Sequence, residues 1–192
     1  MKAPLVFLLG AACGVAVMAA PNGIAHLHAA IRRVQNGGHQ PAGETRAHTH
    51  AQFEFLANGT LDKVAPLFGP EKERVWAQDW NPVFLHPQPA ADQEGMVFTV
   101  DHHHHHSVWV NTQLDLNNGR MQYVYVIPDA MTTVIDLRLT PAGDKTRVLV
   151  TYERTALSAE TDEHVRRMAE GDLRFGPDWE KSINAYLGRA GN

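Results

Sequence analysis

Five consecutive histidines, His102 to His106, form the densest group of candidate ligands in the chain. On an extended backbone alternate side chains share a face, so His102, His104 and His106 project together. Imidazoles at that spacing bind Zn²⁺, Ni²⁺ or Cu²⁺, and crowded imidazoles titrate near ~6.5 or lower because like charges disfavour protonation. His48 and His50 repeat the spacing. No cysteine stands beside either group and Asp101 is the one nearby carboxylate, so the plainer reading is a solvated loop with adventitious metal affinity. Asp172 falls between Met168 and Phe175 on an apolar helical stripe. There it is either an acid/base group with a raised pKa or the partner of an arginine from a strand end. Thr112 and Tyr152 sit on strand positions expected to face inward, where a hydroxyl can orient a ligand or bond the backbone. Trp76, Trp80, Phe84, Phe98, Trp109, Tyr123, Tyr125, Tyr152 and Trp179 are spread over several elements, either as the lining of a binding site or as ordinary core.

Familiar catalytic signatures are missing. The chain contains no Gly-x-Ser-x-Gly, no P-loop, no His-Glu-x-x-His and no dinucleotide fingerprint, so no cofactor is expected. A net charge of −4 with sparse clustered cations, such as Arg32-Arg33 and Arg166-Arg167, excludes nucleic acid as a partner. Lys2 followed by an uncharged run from Ala3 to Ala20, ending in small residues before Pro21, reads as a signal peptide at 1–20 or, if uncleaved, as an N-terminal anchor tethering the chain to a membrane. Either way the protein is expected to be exported, periplasmic or secreted. Cys13 is the sole cysteine, so a chain cleaved near residue 20 has no disulfide and depends on its core.

The elements that must position these groups follow from periodicity. Breaker clusters mark residues 21–45 as a flexible linker, and the folded domain spans 46–188. A first strand covers 47–55. A short helix over 61–68 ends at Gly69-Pro70, and a second holds 71–78. Asn81-Pro82, Pro87 and Pro89 make the next stretch a loop or an edge strand. A strand at 96–100 is followed by period-two runs at 108–116, 121–127, 133–140 and 147–155. In these, Val108, Val110, Thr112 and Leu114 are expected on one face, then Thr133, Ile135, Leu137 and Leu139, then Val148, Val150 and Tyr152. Asn117-Asn118-Gly119 and Pro141-Ala142-Gly143-Asp144 close hairpins. The last element is an amphipathic helix over 159–187 with Ser158 as N-cap. Pro177 should kink it near Gly176, because its ring removes a hydrogen bond and crowds the carbonyl four residues back.

Strand, two short helices, meander and long C-terminal helix resembles the START-like, or helix-grip, fold. The segments Glu73-Arg74-Val75-Trp76-Ala77-Gln78-Asp79-Trp80-Asn81-Pro82, Phe84-Leu85-His86-Pro87, Gly95 to Thr99, Ser107 to Val110, Val150 to Tyr152, Thr155 to Ser158 and Trp179 to Leu187 resemble the polyketide cyclase/dehydrase and lipid-transport branch, the SRPBCC superfamily. The resemblance covers residues 47–187. It implies an α+β fold with a curved antiparallel sheet of six to seven strands, gripped by the last helix over an apolar cavity. A hydrophobic small molecule, such as a lipid or polyketide-like ring, would be held there by Trp76, Trp80, Phe84, Phe98, Thr112, Tyr123, Tyr125, Tyr152 and Trp179. The alternatives are a cyclase or dehydratase using a cavity acid/base, and a periplasmic metal binder using the histidines. The rival fold, a lipocalin-like barrel, needs eight strands and no helices after the first.

Overall fold

The computed structural model describes residues 45–102 and 105–190. The expected signal peptide or anchor at 1–20 and all but the last residue of the expected linker lie outside the described residues, as do His103 and His104.

Seven strands form one antiparallel, curved sheet. They are β1 (His48–Ala57), β2 (Val83–His86), β3 (Val97–His102), β4 (His105–Asp115), β5 (Arg120–Ile127), β6 (Met131–Ala142) and β7 (Lys145–Ala156). Their order is β1-β7-β6-β5-β4-β3-β2, so the first strand pairs with the last, His48 opposite Thr155 and Ala57 opposite Thr146. β2 is an edge strand, as the flanking prolines require. The rest is a meander of tight hairpins. In the β4–β5 turn Gly119 has φ +62°, and a methyl there would collide with the carbonyl oxygen of Leu139. Glycine satisfies both constraints.

Between β1 and β2 the chain makes α1 (Leu61–Val64), a 3-10 turn (Ala65–Phe68) and α2 (Pro70–Glu73). After β7 come a 3-10 turn (Ala159–Thr161), α3 (Asp162–Asp172) and α4 (Phe175–Ala190). The expected single kinked helix is thus two helices. The break falls at Leu173–Arg174, upstream of Gly176, because the carbonyl that Pro177 cannot satisfy is that of Leu173, four residues back. At the N-terminal end, Ser158 N–H is paired with Thr161 Oγ1 at 3.4 Å, and the same hydroxyl donates to the Ala130 carbonyl at 2.7 Å. α3 packs on β1 and β7, and α4 packs on β1.

One interior face of the sheet carries the core. β5 buries Met121, Tyr123 and Tyr125; β6 buries Met131, Thr133, Ile135, Leu137 and Leu139; β7 buries Val148, Val150, Tyr152, Arg154 and Ala156. β4 departs from its expected phase. Ser107, Trp109 and Asn111 face inward, and Val110 and Thr112 face out. Thr112 is the extra residue of a β-bulge between Asn111 and Gln113. The inward Asn111 amide donates to the carbonyls of Gln113 and Gln122, at 2.9 and 3.0 Å, around that bulge. Ser107 is also partnered, accepting from Trp109 Nε1 at 2.8 Å and donating to Val100 O at 2.9 Å. Burying Trp109, with Ser107 and the Asn111 Nδ2 group hydrogen-bonded, outweighs burying two valines, so the alternation of valines misleads.

Candidate functional site

Eight of the nine residues expected to meet a ligand are buried together on the interior face: Trp76, Trp80, Phe84, Phe98, Tyr123, Tyr125, Tyr152 and Trp179. Thr112 is not among them. It lies on the outer face, with Oγ1 bonded to Gln122 Oε1 at 2.9 Å, because β4 turns Trp109 and Asn111 inward and alternation then puts Val110 and Thr112 outside.

The interior aromatics form two groups. Trp179 of α4 meets Phe53 edge-on at 5.3 Å and Trp76 at 5.6 Å, with Phe68 close by. Under the short helices, Trp109 stacks on Tyr125 at 4.3 Å and on Phe98 at 5.6 Å, while Trp80 meets Trp109 edge-on at 5.6 Å and Phe84 stacks on Phe98 at 5.6 Å. The sheet therefore has two covers. α3 and α4 cover the β1–β7 side, α1 touches β6 and β7, and the segment from the 3-10 turn to Trp80 covers β3 to β5. That second cover fills most of the space expected to stand open. What remains among the described residues at that place is a crevice too narrow for a water molecule, lined by Pro70, Glu73, Trp80, Phe98, Trp109 and Tyr123.

The second cover is pinned by side chains acting on its backbone. A four-residue helix cannot satisfy its own carbonyls. Trp76 Nε1 donates to Leu67 O at 2.7 Å, Trp80 Nε1 to Pro70 O at 2.9 Å, and Tyr123 Oη to Phe68 O at 2.9 Å. From outside, Asp92 in the β2–β3 loop accepts the N–H groups of Glu71 at 2.9 Å and Lys72 at 3.4 Å. Tyr123 is thereby a structural donor more than a free hydroxyl, and burial raises its pKa well above the ordinary value, with Glu73 and Asp92 adding to the effect.

This arrangement carries Glu73 into the interior. Its side chain is fully buried, and neither carboxyl oxygen has a hydrogen-bond partner. Burial pushes its pKa well above the ordinary value, and the Asp92 carboxylate pushes the same way. A carboxylic acid held neutral in an aromatic enclosure can donate a hydrogen bond or a proton. The sequence carries a partial signal for it. Glu73, Trp76 and Trp80 recur at spacings of three and four, a helical period, although α2 ends at Glu73 and the two tryptophans reach the interior from the turns that follow it.

Asp172 is paired. Its carboxylate meets the guanidinium of Arg154, both residues almost wholly buried, and that guanidinium also lies over the Tyr152 ring at 4.3 Å. Of the two roles open to Asp172, the structure shows the arginine partnership. Burial raises its pKa and Arg154 opposes the rise without cancelling it. Arg154 continues the inward phase of Val148, Val150 and Tyr152.

The described histidine side chains have separate partners. His106 Nδ1 lies 2.6 Å from Asp101 Oδ1 across the β3–β4 pairing, His48 Nδ1 lies 2.9 Å from Thr155 Oγ1, and His50 faces Glu153 at 3.7 Å. Among the described residues no group of three metal-ligating side chains forms.

No protein-family model and no curated protein matches the chain. Solved structures do. A norcoclaurine synthase of Thalictrum flavum, a point mutant in complex with a transition-state analogue, aligns over 78% of this chain and 100% of its own, with 10% identity and a TM-score of 0.58. A protein of Helicobacter pylori aligns over 76% of this chain and 90% of its own, with 14% identity and a TM-score of 0.54. An uncharacterized protein of Rhizobium leguminosarum aligns over 76% and 99%, with 13% identity and a TM-score of 0.53. At such identities the likeness speaks to architecture, and with the strand order and the C-terminal grip it gives one conclusion: the chain has the START-like, helix-grip fold.

Proposed function

We propose that the protein binds a hydrophobic small molecule on the interior face of its sheet, beneath the cover formed by residues 65–80, and that it is exported. The observation that carries the binding reading is the gap among Trp80, Phe98, Trp109 and Tyr123. It is walled by rings, lies beneath a cover of very short helices, and contains a carboxyl group with no partner. Apolar enclosures with one or two polar groups are the usual form of small-molecule sites. Admission of a guest requires the cover to move outward, since the gap is narrower than a water molecule. The norcoclaurine synthase complex supports the reading by analogy of fold. Export rests on the uncharged run from Ala3 to Ala20 behind Lys2.

Native mass spectrometry of the full chain purified from its own host tests the binding reading. A co-purified apolar compound, or saturable binding of ethylnaphthalene detected through tryptophan fluorescence, is the expected result. A protein that retains nothing and shows no saturable response to ethylnaphthalene is not a binder of this kind. Amino-terminal sequencing of the chain recovered outside the cytoplasm tests export, with a start near residue 20 expected for a cleaved signal.

A further inference from the structure

Glu73 is buried in the aromatic enclosure without a counter-ion. The groups that act on it are its own desolvation and a second carboxylate, Asp92; no cation is among them. Its neighbours around the gap are Pro70 from its own segment, Trp80, Phe98 from β3, Trp109 from β4 and Tyr123 from β5, whose hydroxyl is already committed to Phe68 O. Two carboxyl oxygens left unpartnered in a dry site are a standing cost to folding. Buried polar atoms of this kind are rare, and functional sites are where they collect.

We propose that Glu73 is the hydrogen-bond donor that recognises an uncharged carbonyl oxygen, a ketone or aldehyde carried on an aromatic or alicyclic ring, held among Trp80, Phe98, Trp109 and Tyr123. The proposal rests on the binding reading above and names the chemistry of the guest. Three alternatives fit the site less well. An anionic guest would meet Glu73 and Asp92 with no cation to offset them. An ammonium guest would need Glu73 to ionise in a dry enclosure, where desolvation of both charges opposes the pair. A pure hydrocarbon would leave the carboxyl as unpartnered as it is now. A carbonyl oxygen accepts the carboxyl proton, keeps every group neutral and lets the ring occupy the aromatic walls.

The test uses the full chain and three probes of similar shape: acetylnaphthalene, ethylnaphthalene and naphthylethylamine. Binding is read by quenching of tryptophan fluorescence. Glu73→Gln keeps a donor of nearly the same shape, and Glu73→Met removes it. Acetylnaphthalene is expected to bind about 3- to 10-fold more tightly than ethylnaphthalene, the worth of one neutral hydrogen bond. Glu73→Gln should keep that preference, and Glu73→Met should abolish it while still binding ethylnaphthalene, which also shows that the variant is folded. A difference infrared spectrum should contain a protonated-carboxyl band that Glu73→Gln lacks. Equal affinity for the two neutral probes, or a preference unchanged in Glu73→Met, overturns the assignment of Glu73 and leaves the binding reading standing. A preference for naphthylethylamine overturns it in favour of an ion pair. No saturable binding of any probe overturns both.

Discussion

Arg154 of β7 and Asp172 at the end of α3 form a buried ion pair, and it ties the sheet to the helix one residue before the helix breaks. Pro177 forbids a continuous helix, and the ion pair fixes where the first half stops. The pair lies beside Tyr152, whose ring receives the guanidinium. An arginine this deep is stable there because a carboxylate and an aromatic face meet it together.

Removing one member should therefore be far worse than removing both. Arg154→Met alone leaves Asp172 buried and unpaired and should cost about 3–5 kcal/mol. Arg154→Met combined with Asp172→Leu replaces the pair with apolar contacts and should recover most or all of that loss. Urea denaturation of the two single variants and the double variant forms the necessary cycle. If the double variant is as unstable as the sum of the singles, the pair is not acting as a unit.

Two buried tyrosines should respond in opposite ways to loss of the hydroxyl. Tyr123 Oη donates to Phe68 O, so Tyr123→Phe strands a buried carbonyl and should cost about 1–3 kcal/mol. The Tyr152 hydroxyl is buried without a partner, so Tyr152→Phe should be neutral or mildly stabilising. Thermal melts of the two variants side by side check the contrast. Equal losses would mean that Tyr152 has a partner in solution.

Much of this architecture was legible in the chain, and the exceptions share a cause. β6 and β7 announce their inward faces because one phase is apolar and the other polar. The Asn117-Asn118-Gly119 turn is legible because only a few residues tolerate positive φ. β4 misled because both of its phases carry apolar side chains, and the choice between Val110 and Trp109 was made by packing from other elements. Asp172 stood out as a polar residue on an apolar stripe. Arg154 did not, because a strand's last residues often return to solvent. Glu73 was missed because α2 has four residues, too few to show a period by itself. Local pattern reports an element's own faces; it does not report what a distant side chain such as Tyr123 does to hold that element in place.

The β4–β5 turn offers a backbone test. Gly119 combines positive φ with close approach to Leu139, whose N–H donates to Gly119 O at 2.8 Å. Gly119→Ala should destabilise by more than about 1 kcal/mol, since strain and collision act together. Gly143→Ala, at φ +70° with open space around it, bears the strain alone and should cost less. Chemical denaturation of both variants separates the two contributions; equal losses would leave the contact with Leu139 without effect.

Glu73 makes the stability of this protein depend on pH in an unusual direction. In the unfolded chain its carboxyl releases a proton at its ordinary value of 4.5; in the folded protein burial and Asp92 hold the proton to well above that. Between the two values the folded state binds more protons than the unfolded state, so stability falls as pH rises, by about 1.4 kcal/mol per pH unit. The contribution is intact below the unfolded value and is lost progressively as pH climbs toward the folded one. Glu73→Gln cannot titrate and escapes the loss. Its stability advantage over the natural chain should therefore widen as pH climbs from 4.5 toward the raised folded value. Asp92, also raised by burial, is present in both proteins, so its own titration largely cancels in the difference. A gap that stays constant across that range would show that Glu73 ionises normally, and with it would go the neutral donor on which carbonyl recognition depends.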